Sequence, residues 1–228
     1  MFEYLFLDLD DTILDLQKAE HVALSKTLES FGLNPTQEVL TRYNKINKAH
    51  WEALERKEMT RDQVLLGRFQ MLFREFSVDA DPEKVARSYE HNLGIGHWFL
   101  PGAEEAVTAL SKKYKLYLAS NGTASVQKGR MTSANLYRFF EQVFVSEEIG
   151  HNKPSKAYFD AAFARIPGFD PEKALMVGDS LTSDIKGGNN AGIRTCWVNP
   201  GHAPVKPGIH VDFEIEALHQ LPALLEKL

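Results

Sequence analysis

At 228 residues the chain is long enough to bury a sizeable core, either as one large α/β domain or as a core that carries a smaller insert. With 43% apolar and 25% charged residues, the composition is that of an ordinary folded domain and excludes a low-complexity or disordered chain. The net charge of -5 gives no general attraction to nucleic-acid backbones or anionic membranes, so an anionic ligand must be held by a few placed cations or a metal, and small molecules are the expected partners.

The chain opens with Met1-Phe2-Glu3-Tyr4-Leu5-Phe6-Leu7-Asp8, which has no basic stretch and meets acidic residues too early for a signal peptide. No run approaches the ~20 apolar residues of a membrane span. Cys196 is the single cysteine, which excludes an internal disulfide framework, and a cytoplasmic location is expected. Tyr4 to Leu9 reads as a buried strand that runs into Asp8-Leu9-Asp10-Asp11-Thr12. Residues i and i+2 of an extended segment project to the same side, so Asp8 and Asp10 are expected to converge. Two ionised carboxylates at close range repel unless one is protonated or a cation lies between them. An acidic turn closing a strand is the plainer alternative.

Residues 15–97 contain several amphipathic helical stretches and no convincing strand. Helix starts are predicted at Thr36, at Thr60 with Gln63 as a capping box, and at Asp81 with Pro82 in the first turn. The chain leaves near Asp15 and returns near Pro101, so an all-helical insert would sit beside the carboxyl ends of the strands, where such sheets bind ligands. It is placed to act as a lid. Within it Asn47, Lys48, Trp51, Arg68 and Phe69 are candidates for ligand contact. Helix packing is the more ordinary role for Trp51 and Phe69, and solvation for Lys48 and Arg68.

Pro101-Gly102 then opens a helix, and strands are predicted at Leu116 to Ser120, Gln142 to Val145, Ala174 to Val177 and Thr195 to Val198. Asp170-Pro171 begins a turn, and Ala191-Gly192 closes the helix after Asp184. Helical patterns separate these strands, so each neighbouring pair has room for a crossover, and the fold class is α/β with a doubly wound parallel sheet. The predicted division is an α/β core of residues 1–14 and 98–228 with a helical cap of residues 15–97.

Three further polar signals lie at the ends of the later strands. Ser120-Asn121-Gly122 offers a hydroxyl and exposed N–H groups to phosphate oxygens, or is simply an Asn-Gly turn. Lys153, just before a helix, is suited to neutralising a developing oxyanion. In Gly178-Asp179-Ser180-Leu181-Thr182-Ser183-Asp184, one carboxylate ends a strand and another sits in the first turn of the next helix, where a negative charge is favourable in any case. The eight histidines include no zinc pattern.

The order and strand-end placement of these signals resemble the haloacid dehalogenase superfamily: Asp8-x-Asp10-x-Thr12, then Ser120, then Lys153, then Gly178-Asp179 with Asp184. The helical insert between the first two motifs resembles the cap of the superfamily's subfamily I. The resemblance implies a Mg²⁺-dependent phosphate-monoester hydrolase that forms an aspartyl-phosphate on Asp8. A carboxylate suits that role, because with an ordinary aspartate pKa of about 3.9 it needs no base at neutral pH. Asp10 would protonate the leaving oxygen and then deprotonate water, and Thr12 would orient Asp10 and contact the substrate. Ser120, Asn121, Gly122 and Lys153 would bind phosphoryl oxygens. The resemblance further implies that Mg²⁺ is held by the carboxylates of Asp8 and Asp179 and the backbone carbonyl of Asp10. Asp184 is then either a ligand through water or an anchor for Lys153 or a metal water.

The stretches Asn47-Lys48-Ala49-His50-Trp51, Gly67-Arg68-Phe69, Val145-Ser146-Glu147-Glu148-Ile149-Gly150 and Thr195-Cys196-Trp197 resemble the YjjG-type pyrimidine nucleotide 5′-nucleotidases. That implies a nucleoside monophosphate substrate with Lys48, Trp51 and Arg68 as cap contacts. A phosphosugar or phosphoglycolate phosphatase, a phosphomutase, a haloacid dehalogenase and a phospho-accepting signalling module are the alternatives. Asp10 as an acid suits an alkoxide leaving group, whereas halide departure needs no proton. The acidic pair and the long insert argue against the signalling module.

Overall fold

Five of the six strands carry enough apolar residues to be covered on both faces, and they align accordingly in the computed structural model, which describes residues 1–228. The strands are β1 (Tyr4–Leu7), β2 (Lys115–Ser120), β3 (Gln142–Val145), β4 (Ala174–Gly178), β5 (Arg194–Val198) and β6 (Phe213–Ile215). All pair in parallel, in the order β3-β2-β1-β4-β5-β6. The period of two along each strand divides its residues between two cores. Leu5, Leu7, Leu116, Leu118, Leu175 and Val177 face one way, and Tyr4, Phe6, Tyr117, Ala119 and Met176 face the other.

Ten α-helices accompany the sheet: α1 (Leu16–Ser30), α2 (Gln37–Glu55), α3 (Arg61–Phe76), α4 (Pro82–Leu93), α5 (Ala103–Leu110), α6 (Ala124–Ser133), α7 (Ser146–Ile149), α8 (Lys156–Phe163), α9 (Lys186–Ala191) and α10 (Leu221–Leu225). Helices α5 and α10 cover the Leu5 face, and α8 covers the Phe6 face. Strand β6, which the sequence reading missed, has only three residues with Glu214 exposed among them, too few to display a period.

The first strand is shorter than expected. It ends at Leu7 rather than Leu9, because Asp11 takes a left-handed φ of 54° and the N–H groups of Ile13 and Leu14 fold back onto the carbonyl of Leu9 at 3.0 and 2.9 Å. Asp8 and Asp10 therefore lie on a tight loop and not on one extended face.

Residues 16–93 form the four helices α1 to α4. Their predicted starts hold: Thr36 caps α2, the Thr60–Gln63 capping box opens α3, and Asp81 with Pro82 opens α4. Asp15 caps α1 by accepting from Lys18 N at 2.8 Å. These helices bury an apolar cluster that also takes in Val126 of α6, with Phe69 fully enclosed and its ring 5.3 Å from Tyr43 and 5.5 Å from Tyr89. The outgoing and returning chains run antiparallel, as Asp15 N donates to Trp98 O at 2.8 Å and Leu100 N to Ile13 O at 3.0 Å. No helix is long and apolar enough to cross a membrane.

Candidate active site

The loops that leave β1, β2 and β4 at their carboxyl ends meet around Lys153. Its side chain is buried, and the three protons of its ammonium find three acceptors: Asp8 Oδ1 at 2.7 Å, Asp184 Oδ1 at 2.6 Å and the carbonyl of Ala119 at 2.6 Å. Asn121 fixes the backbone beneath it, accepting from Lys153 N and donating to Lys153 O, both at 2.9 Å. The other oxygen of Asp184 accepts from Ser180 N at 3.0 Å. Gly178 permits this packing, since a Cβ there would collide with Asp184 Oδ2.

Asp179 is positioned from two sides. Its N–H donates to the hydroxyl of Thr12 at 3.1 Å, and its carbonyl accepts from the Trp197 indole at 2.8 Å. Oxygens of Asp8, Asp179 and Asp184 lie within 4.8 Å of one another. Burial pushes Asp8 up to about 8, as do the neighbouring charges of Asp184 and Asp10, while Lys153 pulls against them. Burial and the charges of Asp8 and Asp184 raise Asp179 as well. Burial alone would lower Lys153, but Asp184 and Asp8 outweigh it and keep the ammonium charged. Three carboxylates thus face one ammonium in a desolvated place, an excess of negative charge built of oxygen donors. That is the environment a hard divalent cation neutralises, so these residues fit Mg²⁺.

Asp10 has different partners. Arg130 Nη1 donates to its Oδ1, and Gln127 Nε2 donates to its Oδ2 at 2.6 Å. Both partners come from α6 and are buried. Gln127 also donates to Ser120 Oγ at 2.7 Å, and Arg130 Nε donates to Gly96 O at 3.0 Å, in the chain returning from the helical unit. Neither residue of this pair is among those expected from the sequence. A glutamine and an arginine three residues apart on a helix, beside buried Val126 and Met131, were the available signal.

A cavity of about 560 Å³ opens over this cluster, lined by Asp8, Asp10, Lys153, Asp179 and Asp184 together with residues of α1 to α4. A wider hollow of about 680 Å³ at the amino end of β5, around Arg194, His210 and Asp212, holds no such cluster. Asn121, Gly122, Lys48, Trp51 and Arg68 all line the first cavity.

Several expectations need correction. Thr12 was expected to orient Asp10 and touch substrate, but it is fully buried and bonds Asp179. Ser120 is also fully buried and lies off the cavity wall, its hydroxyl accepting from Gly122 N at 3.1 Å and from Gln127. Arg68 is only 2% exposed, its guanidinium spent on Asn47 Oδ1 at 2.9 Å and Leu65 O at 3.2 Å above the Phe69 and Tyr89 rings. Phe69 has no exposed surface, in keeping with the packing role that is the more ordinary expectation for it. Asp11 bonds Leu16 N at 2.9 Å and so supports the start of α1.

Two residues at the α2–α3 corner, also missed, bridge to the loops below. Arg61 donates to Asn121 O at 3.1 Å, Ser146 Oγ at 2.6 Å and Asn152 Oδ1 at 3.1 Å, with its guanidinium 5.6 Å from the Trp51 ring. Glu55 Oε2 accepts from Thr182 Oγ1 at 3.1 Å.

Comparison with known proteins gives this arrangement a lineage. The model of the haloacid dehalogenase-like hydrolase family matches residues 4–198. The chain is 37% identical to the pyrimidine 5′-nucleotidase PynA of Streptococcus pneumoniae (strain ATCC BAA-255 / R6), over 99% of this chain and 96% of that one. It is 30% identical to the pyrimidine 5′-nucleotidase YjjG of Escherichia coli (strain K12), over 99% of each. Among solved structures, the magnesium-bound HAD-hydrolase YfnB of Bacillus subtilis superposes with a TM-score of 0.94 at 40% identity, covering 98% of both chains. The chain belongs to the haloacid dehalogenase-like hydrolase family and is a hydrolytic enzyme.

Proposed function

We propose that this enzyme is a Mg²⁺-dependent phosphate-monoester hydrolase acting through an aspartyl-phosphate on Asp8, with pyrimidine nucleoside 5′-monophosphates as its preferred substrates. The observation that carries the reading is the Asp8 carboxylate, bonded to a charged lysine within an acidic triad on the wall of a roofed cavity. The names of PynA and YjjG support the substrate class.

In the first half-reaction an Asp8 oxygen forms a bond to phosphorus and the ester P–O bond breaks, with Asp10 giving its proton to the departing alkoxide. In the second, Asp10 takes a proton from water, the water oxygen bonds to phosphorus, and the bond between phosphorus and the Asp8 oxygen breaks to release phosphate. Lys153 offsets the negative charge on the phosphoryl oxygens and on Asp8 while both bonds are partial. Gly122 and Asn121 line the same wall, and the Asn121 amide holds the Lys153 backbone in place for that role. Asp8 and Asp179, with the Asp10 carbonyl, would hold Mg²⁺, and Asp184 would anchor Lys153 beside it. When bound, the ion lets a phosphate dianion approach an acidic site.

Residues 15–97 are read as the cap and residues 1–14 and 98–228 as the core, since the four helices pack around an apolar cluster separate from the two that cover the sheet and the chain passes between the units through one pair of adjacent segments. The core recognises a phosphoryl group, so the alcohol half of the substrate falls to the cap. The test is phosphate release from a panel of nucleotides, phosphosugars and phosphoglycolate, with Mg²⁺ and with excess EDTA. Mg²⁺-dependent release that is fastest for pyrimidine nucleotides supports the reading. Full activity in EDTA would remove the metal, and a sugar phosphate ahead of every nucleotide by tenfold would remove the nucleotidase.

A further inference from the structure

The cap side of the cavity is lined by Glu20 from α1 and Asn47 from α2. Asn47 is buried, and its neighbours dictate which way its amide points. Arg68 carries only donors, so the Asn47 atom 2.9 Å from Nη1 must be the oxygen. The amide nitrogen then faces Glu20 and donates to Oε1 at 2.7 Å. The second Asn47 N–H and the Oε2 of Glu20, on the two groups that this bond joins, have no protein partner. Polar groups in so enclosed a place are completed by water or by a ligand. The same cavity offers apolar surface from Leu16, Leu93, Val126 and the Trp51 indole, so the recess suits a flat ring whose edge carries an acceptor beside a donor.

We propose that Asn47 and Glu20 form the pair that reads the base edge of a pyrimidine nucleoside monophosphate. Asn47 donates to a ring acceptor and Glu20 accepts from the adjacent N–H, with Arg68 as the positioning residue that fixes the amide. Uracil and thymine present a carbonyl beside N3–H, and cytosine presents N3 beside its amino group, so each offers the complementary arrangement. A sugar phosphate or phosphoglycolate offers no such edge. This inference rests on the nucleotidase reading above and assigns residues to it.

The test compares kcat/KM for 2′-deoxyuridine 5′-monophosphate, its N3-methyl derivative and 2-deoxyribose 5-phosphate in the wild type, Asn47→Asp and Glu20→Met. Asn47→Asp keeps the oxygen that Arg68 holds and exchanges the donor for an acceptor. Glu20→Met removes the acceptor. The expected result is a wild-type preference for the nucleotide over both analogues of at least about tenfold, since a site built to hydrogen-bond an edge rejects one that lacks it. Each variant should compress that preference by about tenfold or more. A variant preference equal to that of the wild type, with all three rates reduced in proportion, would make the pair merely structural and overturn the proposal while the nucleotidase reading stands. A wild type that hydrolyses the abasic phosphate as fast as the nucleotide would instead remove the nucleotidase reading itself. The N3-methyl comparison needs no variant, so a substitution that fails to fold leaves the test intact, and equal rates for the methylated and parent nucleotides contradict the edge contact.

Discussion

The carboxylate cluster and the helical roof above it solve opposite problems. In the cluster, buried charges are satisfied by contacts between residues far apart in sequence, with Lys153 bonded to Asp8 across 145 positions and to Asp184 across 31. In the roof, Glu20, Asn47 and Arg68 bond one another within a single helical unit, over the rings of Phe69 and Tyr89. The first arrangement concentrates negative charge of the kind that a divalent cation neutralises. The second ties its one buried cation, Arg68, to the Asn47 amide and leaves a donor–acceptor edge on Asn47 and Glu20. On the proposed reading, reaction and recognition are separated by kind of interaction as well as by place.

The sharpest way to break the contrast is to remove charge from the cluster alone. Asp8→Asn is expected to lower kcat by about 10⁴-fold or more, because the amide lacks the nucleophilic oxygen charge. The fold should survive, since Lys153 keeps Asp184 and Ala119 O as acceptors. Steady-state turnover within tenfold of the wild type, free of deamidated protein, would remove Asp8 from its role.

The converse substitution strikes the roof. Phe69→Ala empties a fully enclosed site and is expected to cost about 3–5 kcal/mol of stability, read by denaturant unfolding. If the two regions unfold separately, that loss should appear in the first of two transitions. A loss below about 1 kcal/mol would mean that the ring is not the packing centre described above.

Between the regions stands Arg61, whose guanidinium reaches the loops that carry Asn121 and Lys153. Arg61→Met should reduce kcat/KM about tenfold through loss of charge-assisted hydrogen bonds. Added guanidinium should restore part of the rate, and an unchanged rate in the variant would show that the corner does not help hold the roof over the site.

The smallest effect concerns Glu20, which burial pushes up to about 7, aided by Asp10 and Asp11 and opposed by Arg68. A carboxyl with a raised folded pKa binds its proton more tightly in the native state, so the contribution is present below about 4.5 and is lost as pH rises through about 7. Relative to wild type, Glu20→Gln should therefore gain thermal stability between pH 5 and pH 8. A melting-temperature difference that is flat over that range would place the group in ordinary solvent.

The same contrast explains what the sequence disclosed. Asp8 and Asp179 stand out because each follows a strand, Lys153 because it lies just before a helix and Asp184 because it sits in a first helical turn, so short local patterns mark all four. Thr12 was misassigned because the loop after Leu7 coils back on Leu9, and no local pattern reveals that turn. Gln127 and Arg130 lie inside a helix, where they read as ordinary polar residues until packing turns them towards Asp10. In the roof, Trp51 and Lys48 line the cavity, but which helix face points inward depends on tertiary packing. That is why Arg68 reads as a free cation in the sequence and Glu20 draws no notice.

The central claim is that the phosphoryl group passes through Asp8. It is tested most directly by mixing excess enzyme, Mg²⁺ and phosphate-labelled nucleotide, quenching in acid within one turnover, and mapping the label by peptide. The account predicts label bound through Asp8, released at alkaline pH and absent from Asp8→Asn. Label on another residue, or phosphate release through the first turnover with no label ever bound to the protein, would contradict it.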